Sequence, residues 1–290
     1  MADRGVLYIA TGSRRFTLEA LRSARSLRQR LPEMPVALFT DFLHDGLEAE
    51  YATIDELRVL PELAARGLAE RGDWGRNLLK RLTALTASPY RHSLHIDADT
   101  MVLDARLAEA FGMLADHDLL LCPATPETSR SAGLMASPIY YCGIIGYDRD
   151  SEKFRELMHR WIATQAACLD ARDAGSLPPD AGELAGLAEQ DRRFLLGTSQ
   201  HALARHLRPG HNPLGLRVKE LEASIWNHHS PFDDPGVILQ ANPLAKFNPM
   251  VENSYGHYHP LPRHPDRDLS RLQPGRARGA GGGDPQICSR

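Results

Sequence analysis

Apolar positions in the first hundred residues alternate between short continuous runs and recurrences every three or four positions. Residues 5–11 (GVLYIAT) form a continuous apolar run of strand length, closed by Gly12 and Ser13. Beyond it, Leu18, Leu21, Ala24, Leu27 and Leu31 recur at helical spacing. That spacing predicts a helix opening at Thr17 as N-cap, with Glu19 in its first turn and Pro32 as its stop. Residues 35–40 and 57–60 read as the second and third strands, and 92–96 (HSLHI) as the fourth. Between them, 74–87 reads as a helix with Leu78, Leu79, Leu82 and Leu85 on one side. Strand runs alternating with helical runs predict an α/β domain, a mainly parallel central sheet flanked by helices.

The second half continues less regularly. Residues 101–103 form a short apolar stretch, and Asp104 is placed to cap a helix carrying Leu107, Phe111 and Leu114. Residues 118–122 and 139–147 read as strands, and Ser151 opens a helix with Phe154, Leu157, Met158, Trp161 and Ile162 at core spacing. Residues 170–186 are small and weakly periodic and read as a loop or lid, 189–207 as one helix, and 237–240 as a strand in an irregular C-terminal third. The expected organisation is one domain over 1–260 and a disordered Arg/Gly/Pro-rich tail over 261–290.

Composition narrows the function without choosing it. At 42% hydrophobic and 24% charged residues the chain matches ordinary globular proteins. No window reaches about 18 uninterrupted apolar residues, so no transmembrane segment is expected. The short apolar run at the N-terminus is not that of a secretory signal, which places the chain in the cytoplasm. A formal net charge of −3 lacks the basic footprint of a nucleic-acid partner. Cys122, Cys142, Cys168 and Cys288 are widely spaced, without C-x-x-C, and read as buried reduced thiols.

Polar residues just after a sheet strand have first claim on chemistry, because ligands of open α/β sheets bind outside the strands' carboxyl ends. Asp97 and Asp99 stand there. Two positions apart on extended chain they lean to one face, as two hard oxygen donors suited to Mn²⁺ or Mg²⁺ shared with a diphosphate. Three other D-x-D pairs occur. Asp116/Asp118 precedes a strand, Asp266/Asp268 lies in the tail, and Asp148/Asp150 follows a strand but also opens a helix, where Asp is a common cap. Met101 stands where a haloacid-dehalogenase-type phosphatase has Thr or Ser, and the P-loop, G-x-G-x-x-G and G-x-S-x-G signatures are missing.

A series of short segments in order resembles the GT-A fold (nucleotide-diphospho-sugar transferase) glycosyltransferases. Within them it resembles the retaining group of glycogenin and the lipooligosaccharide galactosyltransferases, glycosyltransferase family 8. The segments are the strand at 6–11, Lys80 ahead of the D-x-D, SPYRHSLHIDADTMV at 88–102, YYCGIIGY at 140–147, Glu189-Gln190-Asp191, Trp226-Asn227, and residues 237–246. The resemblance implies Asp97, Asp99 and Gln240 as metal ligands for Mn²⁺ or Mg²⁺. It implies donor contacts from Ala10, Thr11, Lys80, Asp97, Ala98 and Lys246, and catalytic roles for Glu189, Gln190 and Asp191; by their place after the first strand, Arg14 is read as reaching a pyrophosphate or being solvated, and Phe16 as covering the base. Three positions depart from the family pattern: Tyr141 replaces its Asn, Gln240 its metal-binding His, and Pro243 its loop Gly. His228, His229, Asp233 and Asp234 stand close enough in sequence to supply a ligand in place of Gln240.

Arg15 stands beside Arg14 after the first strand, and Asn253, Tyr255, His257, Tyr258 and His259 form a polar-aromatic segment suited to acceptor contacts. The activity so implied is transfer of a hexose from a UDP-sugar to a hydroxyl on a sugar, lipid-linked or natural-product acceptor, with retention. The alternatives are a nucleotide-sugar nucleotidyltransferase, for which Gly12-Ser13-Arg14-Arg15 is a poor signature loop, and a family member that binds nucleotide-sugar without turnover.

Overall fold

The first strand, β1 (Arg4–Ala10), forms on the predicted run, and every residue after Arg4 is buried. Two covered faces require a strand apolar throughout, which is why it reads as a continuous run and not as an alternation. The computed structural model describes residues 2–60, 74–124, 140–179, 181–208, 210–226 and 237–240. The predicted tail, Cys288, Lys246, the substitutes from His228 to Asp234, and the Asn253 to His259 segment lie outside the described residues.

The other strands of the main sheet are β2 (Val36–Thr40), β3 (Glu56–Val59), β4 (His92–Ile96), β6 (Leu119–Pro123), β7 (Tyr140–Asp148) and β8 (Val218–Glu220). They form a seven-stranded sheet in the order β3-β2-β1-β4-β7-β6-β8. The pairs β3·β2, β2·β1, β1·β4 and β6·β8 are parallel, and only β7 runs against its neighbours β4 and β6. The carboxyl ends of β1, β2, β4, β6 and β8 therefore share one edge. A separate ribbon pairs β5 (Thr100–Val102) with β9 (Ile238–Gln240), antiparallel.

Helices cover both faces. On one lie α1 (Arg14–Arg30) and α4 (Glu109–Met113), on the other α3 (Trp74–Leu85), α5 (Glu152–Asp173) and α7 (Ser199–Ala204). Val6, Tyr8, Leu38, Leu94 and Ile144 pack towards α1, whereas Leu7, Phe39, Ile145 and Tyr147 pack towards α3 and α5. The remaining helices are the short α2 (Glu48–Tyr51), α6 (Glu189–Gly197) and α8 (Ala223–Trp226).

Several boundaries differ from the sequence reading. The cap of α1 is Ser13, whose side chain accepts from the Arg15 N–H, so Arg14 and Phe16 lie in the first helical turn and Thr17 is buried inside it. Ser and Thr both cap well; the turn at Gly12, φ +87°, fixes which one is used. The predicted single helix over 189–207 breaks at Thr198, whose extended backbone ends α6 and whose hydroxyl caps α7. Helix α5 runs on to Asp173, into the predicted loop. The three-residue β8 escaped notice because its residues are half-exposed to exposed and carry no apolar period.

What fixes β8 is Asp118. Its carboxylate accepts the Arg217 backbone N–H at 2.8 Å and the Arg217 guanidinium at 3.2 Å, while its own N–H donates to the Arg217 carbonyl. Burial would raise this carboxyl, but the Arg217 bonds outweigh it and hold it below the usual range. Because Arg217 is largely exposed, Asp118→Asn is expected to cost only about 1 kcal/mol at pH 7. A carboxyl depressed in the folded state stabilises above its unfolded pKa, near 3.9, and that contribution is lost as pH falls through the lower folded value. Urea midpoints of wild type and variant should therefore differ at pH 7 and converge below about pH 4. A gap that stays constant into acid would show that the latch does not use the charge.

Candidate functional site

Asp97, Ala98 and Asp99 form the turn between β4 and β5 at the carboxyl edge, all three half-buried. The Asp97 N–H donates to the Gly143 carbonyl at 2.8 Å, which ties the turn to β7. Its other anchor comes from α1. Thr100 Oγ1 donates to the Asp97 carbonyl at 2.7 Å and lies 2.8 Å from Ser23 Oγ, itself 2.9 Å from the Tyr8 hydroxyl. One turn on, Ser26 Oγ accepts the Val102 N–H at 2.9 Å. Ser23 and Ser26 replace apolar residues on the buried face of α1 and spend their hydroxyls on the chain that follows the two aspartates. Ser23→Ala is expected to cost about 1–2 kcal/mol and to loosen the turn. The checks are a lower melting temperature together with weaker nucleotide binding; a loss of stability alone would make Ser23 a core residue only.

The Asp97 carboxylate has a cationic partner that sequence reading missed. Arg81 Nη1 donates to Asp97 Oδ1 at 2.6 Å, with side chains 15% and 26% exposed. Lys80, which the family resemblance implied, is half-buried on the same helix, but the arginine after it meets Asp97. Helical phase decides between adjacent residues about 100° apart, and phase depends on how α3 is seated. Gly75 seats it. A Cβ there would lie 2.5 Å from Leu169 Cδ2 and 3.0 Å from the Gly197 carbonyl, so a larger residue would have to turn Leu169 aside and press on the α6 backbone for α3 to sit as close.

His95, 0% exposed, stands behind Asp97. Its Nδ1 is 3.1 Å from the Leu7 carbonyl, which can only accept, so Nδ1 carries the proton. Nε2 is then a lone pair 3.5 Å from Asp97 Oδ1, a contact too long for a hydrogen bond. Burial lowers the imidazole pKa despite the nearby carboxylate, consistent with a neutral ring. For Asp97 burial works upwards, and the Arg81 guanidinium outweighs it to hold the carboxyl below the usual carboxylate range.

Both contacts fall on Oδ1; among the described residues Oδ2 accepts no hydrogen bond. The third expected ligand, Gln240, is the last residue of β9, which pairs with the strand after the turn. β9 sets Gln240 opposite Thr100, the residue after Asp99. Two carboxylates and one amide are an all-oxygen donor set, which fits Mg²⁺ or Mn²⁺ and not a soft metal. No cluster of three or more His, Cys, Asp or Glu suited to a metal occurs among the described residues.

The remaining expected donor residues spread along the edge. Ala10 is buried at the end of β1, Thr11 half-buried, and Phe16 packs on the α1 core. Arg14 is exposed and reaches the Asp45 carbonyl at 3.5 Å. Glu189, Gln190 and Asp191 are exposed in the first turn of α6, and no hydrogen bond ties them to the aspartate turn among the described residues. The rival pair sits elsewhere: Asp148 pairs opposite His92, at the amino end of β4, where it binds Arg91 and accepts the Asp150 N–H. Cys122, Cys142 and Cys168 are buried free thiols, as expected. A cleft of about 660 Å³ opens on the carboxyl edge beyond β7, lined by Met113, Pro123, Glu220, Glu222, Ile225 and Trp226.

No protein-family model matches the sequence, and no curated protein matches it. Solved structures resemble the fold. The galactosyltransferase LgtC, in complex with donor and acceptor sugar analogs, aligns at 10% identity and a TM-score of 0.47, over 82% of this chain and 87% of its own. The glycosyltransferase GlyE of Streptococcus pneumoniae aligns at 12% and 0.48, over 83% of this chain and 55% of its own. Mouse xyloside xylosyltransferase 1 aligns at 12% and 0.44, over 83% and 98%. No helix among the described residues is long and apolar enough to cross a membrane.

Proposed function

We propose that this chain is a GT-A glycosyltransferase that moves a hexose from a UDP-sugar to an acceptor hydroxyl. The observation that carries the reading is the Asp97/Asp99 turn at the carboxyl edge, with Arg81 on Asp97 and Gln240 opposite Thr100. In the transfer the acceptor oxygen bonds to the anomeric carbon, the bond from that carbon to the diphosphate oxygen breaks, and the acceptor proton passes to the departing diphosphate. Charge grows on the leaving group as the carbon becomes cation-like, so fixed positive charge beside it lowers the barrier.

Asp97, Asp99 and the Gln240 amide would hold Mn²⁺ or Mg²⁺, which when bound supplies that charge on the diphosphate. Arg81 keeps Asp97 ionised and oriented, and Lys246 is assigned to the phosphates. Gln190 cannot ionise and is a poor covalent nucleophile, so its role is to orient the donor sugar, with Glu189 and Asp191 accepting from sugar hydroxyls. Retention follows from the family resemblance. The cleft beyond β7 offers Trp226 and two carboxylates, Glu220 and Glu222, chemistry suited to a saccharide acceptor.

The test is a panel of nucleotide-sugars with Mn²⁺, Mg²⁺ or EDTA, read by thermal shift and by nucleotide release. One UDP-sugar is expected to raise the melting temperature only with metal and to release UDP. Stabilisation without release would favour a binding protein, and no stabilisation by any nucleotide-sugar would end the reading.

A further inference from the structure

Gln165 lies in the middle of α5, on the buried face with Trp161, Cys168 and Leu169, and is 0% exposed. Its Nε2 donates to the carbonyls of Leu196 at 3.5 Å and Gly197 at 3.4 Å, the last two residues of α6. Carbonyls at a helix end have no partner within the helix, so a side-chain donor from outside serves as their cap. One turn earlier on α5, Trp161 Nε1 donates to the Ser199 carbonyl at 2.7 Å. Two side chains of one helix thus hold the chain on both sides of Thr198, the extended residue at which α6 ends and α7 begins.

This joint meets both supports of Asp97. The Gly197 carbonyl that Gln165 reaches is the backbone atom on which α3 closes at Gly75, and α3 carries Arg81. On the other side, the Ser199 hydroxyl lies beside the thiol of Cys142, whose neighbour Gly143 accepts the Asp97 N–H. The joint is incompletely paired, because Gln165 Oε1 and Ser199 Oγ are both buried without a hydrogen-bond partner. A buried amide with an open oxygen costs stability relative to an apolar side chain of the same shape. Packing alone therefore does not account for a glutamine here, whereas its N–H bonds to the end of α6 do.

We propose that Gln165 is a positioning residue for the sugar transfer: it sets the angle at which α6 leaves Thr198, and so where Gln190 stands against the sugar held at the aspartate turn. The inference rests on the glycosyltransferase reading above and adds a residue that never touches the donor. The first turn of α6 is exposed, and its buried residues, Leu195, Leu196 and Gly197, all lie at the far end, so the direction of the helix is fixed there. Lever length gives the effect its size. At about 1.5 Å per residue Gln190 stands roughly 12 Å from Thr198 along α6, so a tilt of about 10° moves it by roughly 2 Å. A displacement of about 1 Å at a reacting group can lower the rate on the order of a hundredfold.

Gln165→Met keeps the length of the side chain and removes its N–H. In the full chain with Mn²⁺ the variant is expected to hold the wild-type melting temperature within about 2 °C. It should also keep the wild-type Kd for UDP, which has no sugar for Gln190 to meet. For the UDP-sugar that wild type turns over, kcat for UDP release should fall about tenfold to a hundredfold, with KM changed less than about threefold. Gln190→Ala completes a double-mutant cycle: because Gln165 acts through Gln190, adding Gln165→Met to Gln190→Ala should lower kcat by less than about twofold further. Additive losses would overturn the proposal, as would activity and melting temperature falling together. Gln165→Leu repeats the test should methionine pack badly, and failure of both variants to fold would make Gln165 a core residue only. A wild type that releases no UDP from any nucleotide-sugar ends the glycosyltransferase reading itself, whereas an active wild type with a fully active Gln165→Met ends this inference alone.

Discussion

Asp97→Asn/Asp99→Asn is expected to lower UDP release from the preferred nucleotide-sugar by about a thousandfold or more while leaving the fold intact. Asparagine keeps the shape of each side chain and can still accept from Arg81, so the backbone anchors of the turn, from Gly143 and Thr100, should survive. What disappears is the double negative charge that the proposed function assigns to holding a divalent cation at the diphosphate. The same loss should show in binding. At a hundredfold excess over Kd a ligand adds about 2.7 kcal/mol. For a domain of this size that is on the order of 5 °C in melting temperature. Wild type should show this metal-dependent shift and the double variant none. A double variant that keeps the shift would place the diphosphate elsewhere.

The second large effect belongs to Arg81. Arg81→Met keeps much of the side chain's apolar length but leaves Asp97, three-quarters buried, without its guanidinium. Stranding a carboxylate in that position should cost about 2–3 kcal/mol, between the values for a lost charged hydrogen bond and a broken buried pair. In the variant the largest influence opposing the burial that raises the Asp97 carboxyl is gone. The sign follows: in wild type the depressed carboxyl stays ionised down to acid pH, whereas in the variant it takes up a proton at higher pH. The acid limb of the pH–activity profile should therefore move upward in Arg81→Met and less so in Arg81→Lys, which retains the charge. An unmoved acid limb, with activity lost equally at every pH, would make Arg81 a packing residue.

Much of the architecture could be read from the chain because two-sided burial leaves a mark on every position. β1 and β2 are buried throughout or nearly so and appear as continuous apolar runs, and α1 shows its period because one face meets the sheet. Short or exposed elements leave no such mark. β8 is held by a side-chain latch from Asp118, and α2 is four residues with none buried. The Thr198 break also escaped detection, since α6 and α7 both carry helical residues and only the extended cap between them separates the two.

The candidate site divides in the same way. The sequence by itself singled out the aspartate pair, because a polar turn directly after a buried strand is a local pattern, and it set the rivals that begin a strand or cap a helix behind it. It also brought Gln240 into consideration, which the β5–β9 pairing then set opposite Thr100. Only the tertiary structure decided that Arg81 and not Lys80 meets Asp97, since that depends on how closely Gly75 lets α3 approach its neighbours. Only it joined Ser23 to Thr100, 77 positions apart, and left an oxygen of Asp41 buried beside Gly12 without a partner. Local patterns record which side of an element is buried, whereas the partner of a buried polar atom is fixed by the packing of distant segments, and no short stretch of sequence contains that information.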